Sequence, residues 1–128
     1  MIYADTSALM KLVRREEETD PLRAWIGDHA DTLLTNTVGV VELQRAAARV
    51  SPAGLAAARS ILRAIDQIPI TSSAVRFAAT ARPATLRTLD ALHLASAATT
   101  DGITAFLCYD DRLIEASTSC GLSVSSPS

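Results

Sequence analysis

Short apolar runs alternate with longer amphipathic segments along most of the chain. The runs show little internal alternation, which is typical of strands buried on both faces of a parallel sheet. The segments between them carry apolar residues at helical spacing and many alanines, the strongest helix former. Strands separated by helices cannot form hairpins, so the pattern predicts an α/β fold with a parallel sheet covered on both faces.

The individual elements follow from where each pattern starts and stops. The predicted strands are 1–4, 31–36, 67–71, 104–110 and 122–126. The predicted helices are 7–15, 20–30, 37–50, 53–66, 72–81, 87–102 and 111–120. No linker, repeat or low-complexity segment divides them, so residues 1–128 are predicted to form a single domain.

Composition narrows the class of protein without assigning a function. Hydrophobic residues make up 48% and charged residues 20%, as in ordinary globular proteins. There is no apolar run long enough to cross a membrane and no secretory signal pattern, so we expect a cytoplasmic protein. The net charge of −2 argues against a simple electrostatic nucleic-acid binder. Grouping several acids in one site would, however, leave the remaining surface mildly basic.

Acidic residues stand where two of the predicted strands end. Asp5 directly follows the first strand, and the pair Asp110 and Asp111 lies at the end of the strand 104–110. In an open parallel sheet, ligands bind beyond the carboxyl ends of the strands. We therefore expect these acids to lie at one edge of the sheet.

Two further acids interrupt apolar stretches of predicted helices. Glu42 lies in "VGVVELQRA" and Asp90 in "TLDALHLASA". A carboxylate buried among such neighbours is costly unless a cation or hydrogen bonds compensate its charge. Oxygen ligands without a cysteine or histidine cluster favour Mg²⁺ or Mn²⁺ over zinc. The acids together predict a divalent-metal site.

Each acid also has a purely structural interpretation. Asp5 and Asp90 are suited to capping the helices near them, and Glu42 to an exposed helical position. One member of the Asp110 and Asp111 pair is expected only to cap the helix that follows. Asp110 directly follows the strand, so it is the one favoured for the site.

Taken together, these motifs resemble those of PIN-domain proteins, specifically the VapC-type toxins of bacterial toxin–antitoxin pairs. The resemblance rests on "YADTSALMKL" around Asp5, "VVELQRA" around Glu42, "TLDALHLASA" around Asp90 and "FLCYDDRLIEASTSCGL" around Asp110. These motifs occur in the family's order and spread over nearly the whole chain. The segment around Glu42 is the least specific of them.

The resemblance implies a three-layer α/β/α sandwich with a mostly parallel sheet and an acidic pocket for Mg²⁺ or Mn²⁺. It implies a catalytic quartet of Asp5, Glu42, Asp90 and Asp110, with Asp5, Asp90 and Asp110 as metal ligands. The implied activity is metal-dependent endoribonuclease cleavage of a tRNA or rRNA by metal-activated water. The implied partners are a cognate VapB-type antitoxin and a second copy of the chain in a homodimer.

The sequence also suggests contacts or roles for several residues near the quartet. Thr6 and Ser7 match the family's small hydroxyl residues and are expected to bond to carboxylates or to a metal-bound water. Cys108 stands where many relatives have threonine, which is a stronger hydrogen-bonding group. His93 is expected to be a packed, hydrogen-bonded histidine, with a catalytic base as the alternative. Arg112 suits either an RNA phosphate or the acids of its own helix.

Other assignments compete with the nuclease. A non-catalytic PIN-like module that binds RNA or protein is the main alternative, and the presence of all four acids argues against it. A phosphatase of the haloacid-dehalogenase type requires an acid two residues after Asp5, where Ser7 stands. A receiver domain requires a lysine late in the chain, whereas Lys11 is the only lysine.

Overall fold

A computed structural model describes all residues from 1 to 128. The strands β1 to β5 are Ile2–Ala4, Leu33–Asn36, Asp66–Ile68, Ala105–Leu107 and Val124–Ser125. The helices α1 to α7 are Thr6–Val13, Thr19–His29, Thr37–Val50, Pro52–Ala64, Ser72–Ala79, Thr88–Thr99 and Asp111–Ser119.

The strands form one sheet in the order β3-β2-β1-β4-β5, and every neighbouring pair is parallel. Alternate side chains of a strand point to opposite faces. Ile2 and Ala4 of β1 pack with buried residues of α1 to α4, whereas Tyr3 packs with buried residues of α6 and α7. The sheet therefore lies between two helical layers, which confirms the predicted α/β/α sandwich.

Most predicted boundaries differ from the observed ones by one to three residues, and two of these differences bear on the sheet. The helix predicted to run to Asp66 ends at Ala64, because Asp66 and Gln67 pair with Leu34 and Thr35 at the edge of the sheet. The strand predicted for 104–110 covers only Ala105–Leu107. Beyond it, Cys108 and the residues that follow lead the chain toward α7. None of the helices has both the length and the apolar character needed to cross a bilayer.

Candidate active site

The site lies between β1 and β4, where the order in which strands are added to the sheet reverses. The chain places β2 and β3 on one side of β1, and β4 and β5 on the other. Such a switch point opens a crevice beyond the carboxyl ends of the two central strands. Asp5 directly follows β1, and Asp110 follows β4 by three residues. The topology therefore brings the first and last acids of the quartet to the same edge, as predicted.

Asp5 carries a buried carboxylate, with only 3% of the residue exposed. Its Oδ1 accepts hydrogen bonds from the Ser7 hydroxyl at 2.7 Å and the Ala8 amide at 3.0 Å, so Asp5 caps α1. The Cys108 thiol donates to Oδ2 at 3.1 Å. Burial raises the pKa of Asp5 above its usual value, although these hydrogen bonds oppose the shift. No basic side chain pairs with this carboxylate.

Ser7 also fixes the two strand ends to each other. Its hydroxyl donates to Asp5 and accepts from the Tyr109 amide at 2.9 Å. The expectation that this hydroxyl bonds to a carboxylate is thus confirmed. Cys108 makes a second link, because it follows β4 and its thiol reaches Asp5. These contacts hold the Asp5 carboxylate rigidly at the crevice.

Asp90 and Asp110 are joined by one arginine. Arg87 directs Nε to Asp90 Oδ2 at 2.8 Å and Nη2 to Asp110 Oδ2 at 3.2 Å. The Arg87 side chain is 67% exposed, whereas those of Asp90 and Asp110 are 14% and 31% exposed. The two carboxylates, from different elements, therefore share one cation at the mouth of the site.

The structural roles of these two acids differ from the expectations. Asp90 is the third residue of α6 and does not cap it, because Arg87 occupies the cap position. Asp110 is itself the cap of α7, since its Oδ1 accepts from the Leu113 amide at 3.0 Å. The prediction that one acid of the pair serves the site and the other the cap is wrong. Asp110 caps with one oxygen and faces the site with the other, while Asp111 is exposed.

Glu42 is connected to the core by a chain of hydrogen bonds. His93 Nε2 lies 2.6 Å from Glu42 Oε1, and His93 Nδ1 lies 2.7 Å from the Tyr3 hydroxyl. The Thr6 hydroxyl donates to the same glutamate oxygen at 3.0 Å. His93 is fully buried, which confirms that it is a packed and hydrogen-bonded histidine. Its contact with Glu42 also makes it a support for one of the acids.

The charge state of Glu42 follows from these contacts. Partial burial alone would raise the pKa of Glu42, but the hydrogen bond and charge of His93 act in the opposite direction. The Thr6 hydroxyl and the nearby Arg87 charge add to that effect, so the pKa of Glu42 lies below its usual value. Glu42 is therefore held ionised at neutral pH. The side chain of Glu42 is 24% exposed, so it is neither a solvated residue nor a core residue.

The donor groups fit a hard divalent cation in their chemistry. No three acidic, histidine or cysteine side chains converge on a single point in the arrangement that the structure shows. Asp5 is nevertheless a buried carboxylate without a counter-charge, and such a group is costly unless a cation compensates it. Asp90 and Asp110 already bind a cationic group. The cluster is thus built to receive positive charge.

Arg87 is the residue that the sequence interpretation missed. It precedes Asp90 by three residues, a spacing at which the side chain of a cap residue can reach an acid in the first turn of the helix. That spacing could have indicated the pair with Asp90. Nothing in the sequence indicates the second contact, because Asp110 lies 23 residues away along the chain.

Two surfaces border the acids. On one side, Arg112 and Arg82 line a groove that also contains Glu115 and Ser119. On the other side, Glu42 adjoins a groove that contains Arg45 and Arg49, with the exposed apolar side chains of Val41 and Leu89. The acids therefore lie between two grooves that each carry arginines.

Comparisons with known proteins agree with this architecture. The family model of the PIN domain matches residues 2–118. "Ribonuclease VapC47" of Mycobacterium tuberculosis is 43% identical over 99% of this chain and 97% of that protein. "Ribonuclease VapC46" of the same species is 34% identical over 99% of this chain and 98% of that protein.

Solved structures with low sequence identity share the fold. The complex "VapBC2 from Rickettsia felis bound to a DNA fragment from their promoter" contains a chain that superposes with a TM-score of 0.79 at 12% identity, covering 100% of both chains. A Mycobacterium tuberculosis toxin described as "VapC20, Sarcin-Ricin loop cleaving toxin" gives a TM-score of 0.73 at 15% identity, covering 91% of this chain and 95% of that one.

Proposed function

The chain belongs to the PIN-domain family, and from this premise we propose that it is a metal-dependent endoribonuclease toxin restrained by a cognate antitoxin. The ribonuclease assignment is supported by relatives that carry that name and match almost the whole chain. The structural observation that carries it is that Asp5 and Asp110 follow the neighbouring parallel strands β1 and β4 at the switch point of the sheet, and that Arg87 joins Asp110 to Asp90 there.

We assign Asp5, Asp90 and Asp110 as the ligands of Mg²⁺ or Mn²⁺, and Glu42 as the fourth acid of the catalytic set. A divalent cation held by these residues would supply an acidified water and would neutralise charge on the phosphate that is attacked. Asp5 suits the deepest ligand position because Ser7, Ala8 and Cys108 hold its carboxylate in one orientation.

Glu42 has a different role from the three aspartates. His93 and Thr6 both hold the Oε1 atom of Glu42, and this leaves Oε2 free to face the site. The pKa of Glu42 is lowered by these contacts, so at neutral pH it is an anionic hydrogen-bond acceptor. Such a group can orient an attacking water or accept its proton.

The arginines beside the acids suit an RNA strand that passes over the site. Arg112 makes no hydrogen bond or ion pair with its neighbours, and it lines both the groove with Arg82 and the recess with Asp110. Guanidinium groups match phosphate oxygens in geometry. We therefore favour a phosphate contact for Arg112 over pairing within its helix. We propose that the reaction takes place in the cytoplasm, where an RNA substrate is present.

An antitoxin partner and a homodimer complete the proposal. Similar folds occur in "VapBC2 from Rickettsia felis" and in "FitAcB from Neisseria gonorrhoeae", the latter with a TM-score of 0.76 at 16% identity over 99% of this chain. The apolar groove beside Glu42 exposes 57% of Val41 and 46% of Leu89. A protein segment that covered this groove would also shield the acids from RNA.

Cleavage of host RNA by the purified protein tests the nuclease proposal. Total RNA is incubated with Mg²⁺ or Mn²⁺, with and without EDTA, and the fragment ends are mapped. Discrete fragments are expected, with 5′-phosphate and 3′-hydroxyl ends, as the family resemblance implies. Asp90→Asn should reduce the rate at least about 100-fold, since a lost ligand removes most of the electrostatic assistance.

Asp101→Asn is the matched control. Asp101 is exposed in the turn after α6, and its replacement by asparagine removes the same charge as Asp90→Asn. It should retain the wild-type rate. If both variants and the EDTA sample cleaved like the untreated protein, the metal site would be wrongly assigned. If the folded wild type cleaved no RNA in either metal, the non-catalytic binding module would replace the nuclease.

A further inference from the structure

Arg87 is the only arginine or lysine that forms ion pairs with members of the acidic set, whereas Glu42 contacts His93. Its guanidinium bridges Asp90 at the start of α6 and Asp110 at the start of α7. The Arg87 charge also contributes to the lowered pKa of Glu42. One cationic group thus acts on three of the four acids, and it occupies the mouth of the site.

The bridging contacts use the oxygens that a metal would need. Asp110 Oδ1 is committed to the Leu113 amide as the cap of α7, which leaves only Oδ2 to face the site. Arg87 Nη2 binds that same Oδ2. A metal bound to Oδ2 would lie beside the Arg87 guanidinium, so repulsion between the two cations would favour release of Arg87.

The contacts of Arg87 with Asp90 and Asp110 can also be broken at low cost. The Arg87 side chain is 67% exposed, and no hydrogen bond other than those to the two aspartates holds it. Ion pairs at exposed arginines are weak because water screens them. A divalent cation between the same carboxylates has twice the charge and is more compact, so it can replace the guanidinium.

We propose that Arg87 is an internal counterion that keeps Asp90 and Asp110 together without metal and that competes with a divalent cation for their carboxylate oxygens. The inference rests on the proposed metal site and adds a competition within the chain itself. It makes Arg87 a positioning residue that sets the metal affinity of the free protein. The metal-free acids are then neutralised in part, which prevents mutual repulsion from opening the site.

Direct binding of Mn²⁺ in the absence of RNA tests this competition. The loss of the electron paramagnetic resonance signal of free Mn²⁺ is followed on titration with the wild type and with Arg87→Gln. We expect Arg87→Gln to bind Mn²⁺ about three- to tenfold more tightly, since two weak ion pairs no longer compete. Its melting temperature without metal should not exceed that of the wild type, and its rise on adding Mn²⁺ should be larger.

Two variants separate competition from a general change in charge. Arg112→Gln removes an equal charge beside Asp110 but breaks no ion pair, so its Mn²⁺ affinity should change by less than about twofold. Arg87→Lys keeps the charge but lacks the fork that binds both carboxylates, so its affinity should lie between those of the wild type and Arg87→Gln.

The outcomes distinguish the inference from the proposal beneath it. Equal Mn²⁺ affinity of the wild type, Arg87→Lys and Arg87→Gln would overturn the competition while leaving the metal site intact. An equal increase for Arg112→Gln and Arg87→Gln would also overturn it, in favour of general electrostatics. If neither the wild type nor Arg87→Gln bound Mn²⁺, the proposed metal site and the competition would both be wrong.

Discussion

Asp5 carries a negative charge into the buried end of β1, where hydroxyl, amide and thiol groups surround it but no basic side chain does. Burial raises its pKa in the folded state. The folded protein then binds the proton more strongly than the unfolded chain does. The ionised carboxylate therefore costs stability, and this cost grows as the pH rises through the folded pKa.

Replacing Asp5 with asparagine should stabilise the metal-free protein. Asn can still cap α1, and it removes the buried charge. We expect the melting temperature of Asp5→Asn at pH 8 to exceed that of the wild type by about 3 °C or more. The advantage should vanish as the pH falls toward 4, because the wild-type carboxyl then becomes protonated.

The comparison is made by thermal unfolding in EDTA across this pH range. Other titrating groups, including Glu42, are common to both proteins and cancel in the difference. A lower melting temperature for Asp5→Asn at pH 8 would contradict the account of an uncompensated buried charge. So would an advantage that increased at acidic pH.

At the scale of elements, the approach of α3 to the sheet sets the position of Glu42. Gly39 lies in the first turns of α3, where a Cβ atom would overlap Thr35 Oγ1 of β2 and lie 3.1 Å from His93 Cε1 of α6. Only a glycine allows α3 to pack this closely against both neighbours. That packing brings Glu42 within reach of His93.

Gly39→Ala should therefore destabilise the fold despite the better helix propensity of alanine. We expect a loss of about 1–3 kcal/mol in the free energy of unfolding, which is the usual cost of overpacking. Gly27→Ala in α2 is the matched control, because a Cβ there meets no atom within 4 Å. It should gain about 0.5–1 kcal/mol. Urea unfolding measures both, and a neutral Gly39→Ala would contradict the proposed close approach.

The parallel sheet could be predicted from local sequence patterns, whereas the end of α4 could not. The alternation of apolar runs and helical segments predicted the parallel sheet, because the central strands β1 and β4 are buried on both faces. The same pattern wrongly predicted that Asp66 belongs to a helix. In the structure α4 ends at Ala64, because Asp66 pairs with Leu34 of the neighbouring strand. Strand pairing is a tertiary contact that a local pattern does not contain.

The same limit applies to the site. Asp5 and Asp110 could be assigned to one edge because parallel strands share the direction of their carboxyl ends. The bridge from Arg87 to Asp110 and the contact of His93 with Glu42 join segments that are distant along the chain. The dual role of Asp110 depends on the orientation of its two oxygens. These features depend on tertiary contacts and side-chain orientations, which the sequence alone does not predict.

At the scale of the whole molecule, the sheet topology and the distribution of charge support one function. The order β3-β2-β1-β4-β5 creates a single switch point, and the acids lie there between two grooves that carry arginines. Negative charge is thus concentrated at the centre and positive charge at its margins. This arrangement suits the proposed substrate, an RNA strand whose phosphates would contact the arginines on either side of the acids.

The most direct test of this account is the position of a bound metal. Crystals of the protein soaked in Mn²⁺ should show an anomalous scattering peak between the carboxylates of Asp5, Asp90 and Asp110, with Arg87 moved away from Asp110. Asp5→Asn crystals treated in the same way should lack the peak. A peak bound elsewhere would contradict the assignment of these acids as the metal ligands. A peak at this site with Arg87 still bridging Asp90 and Asp110 at saturating Mn²⁺ would contradict the competition.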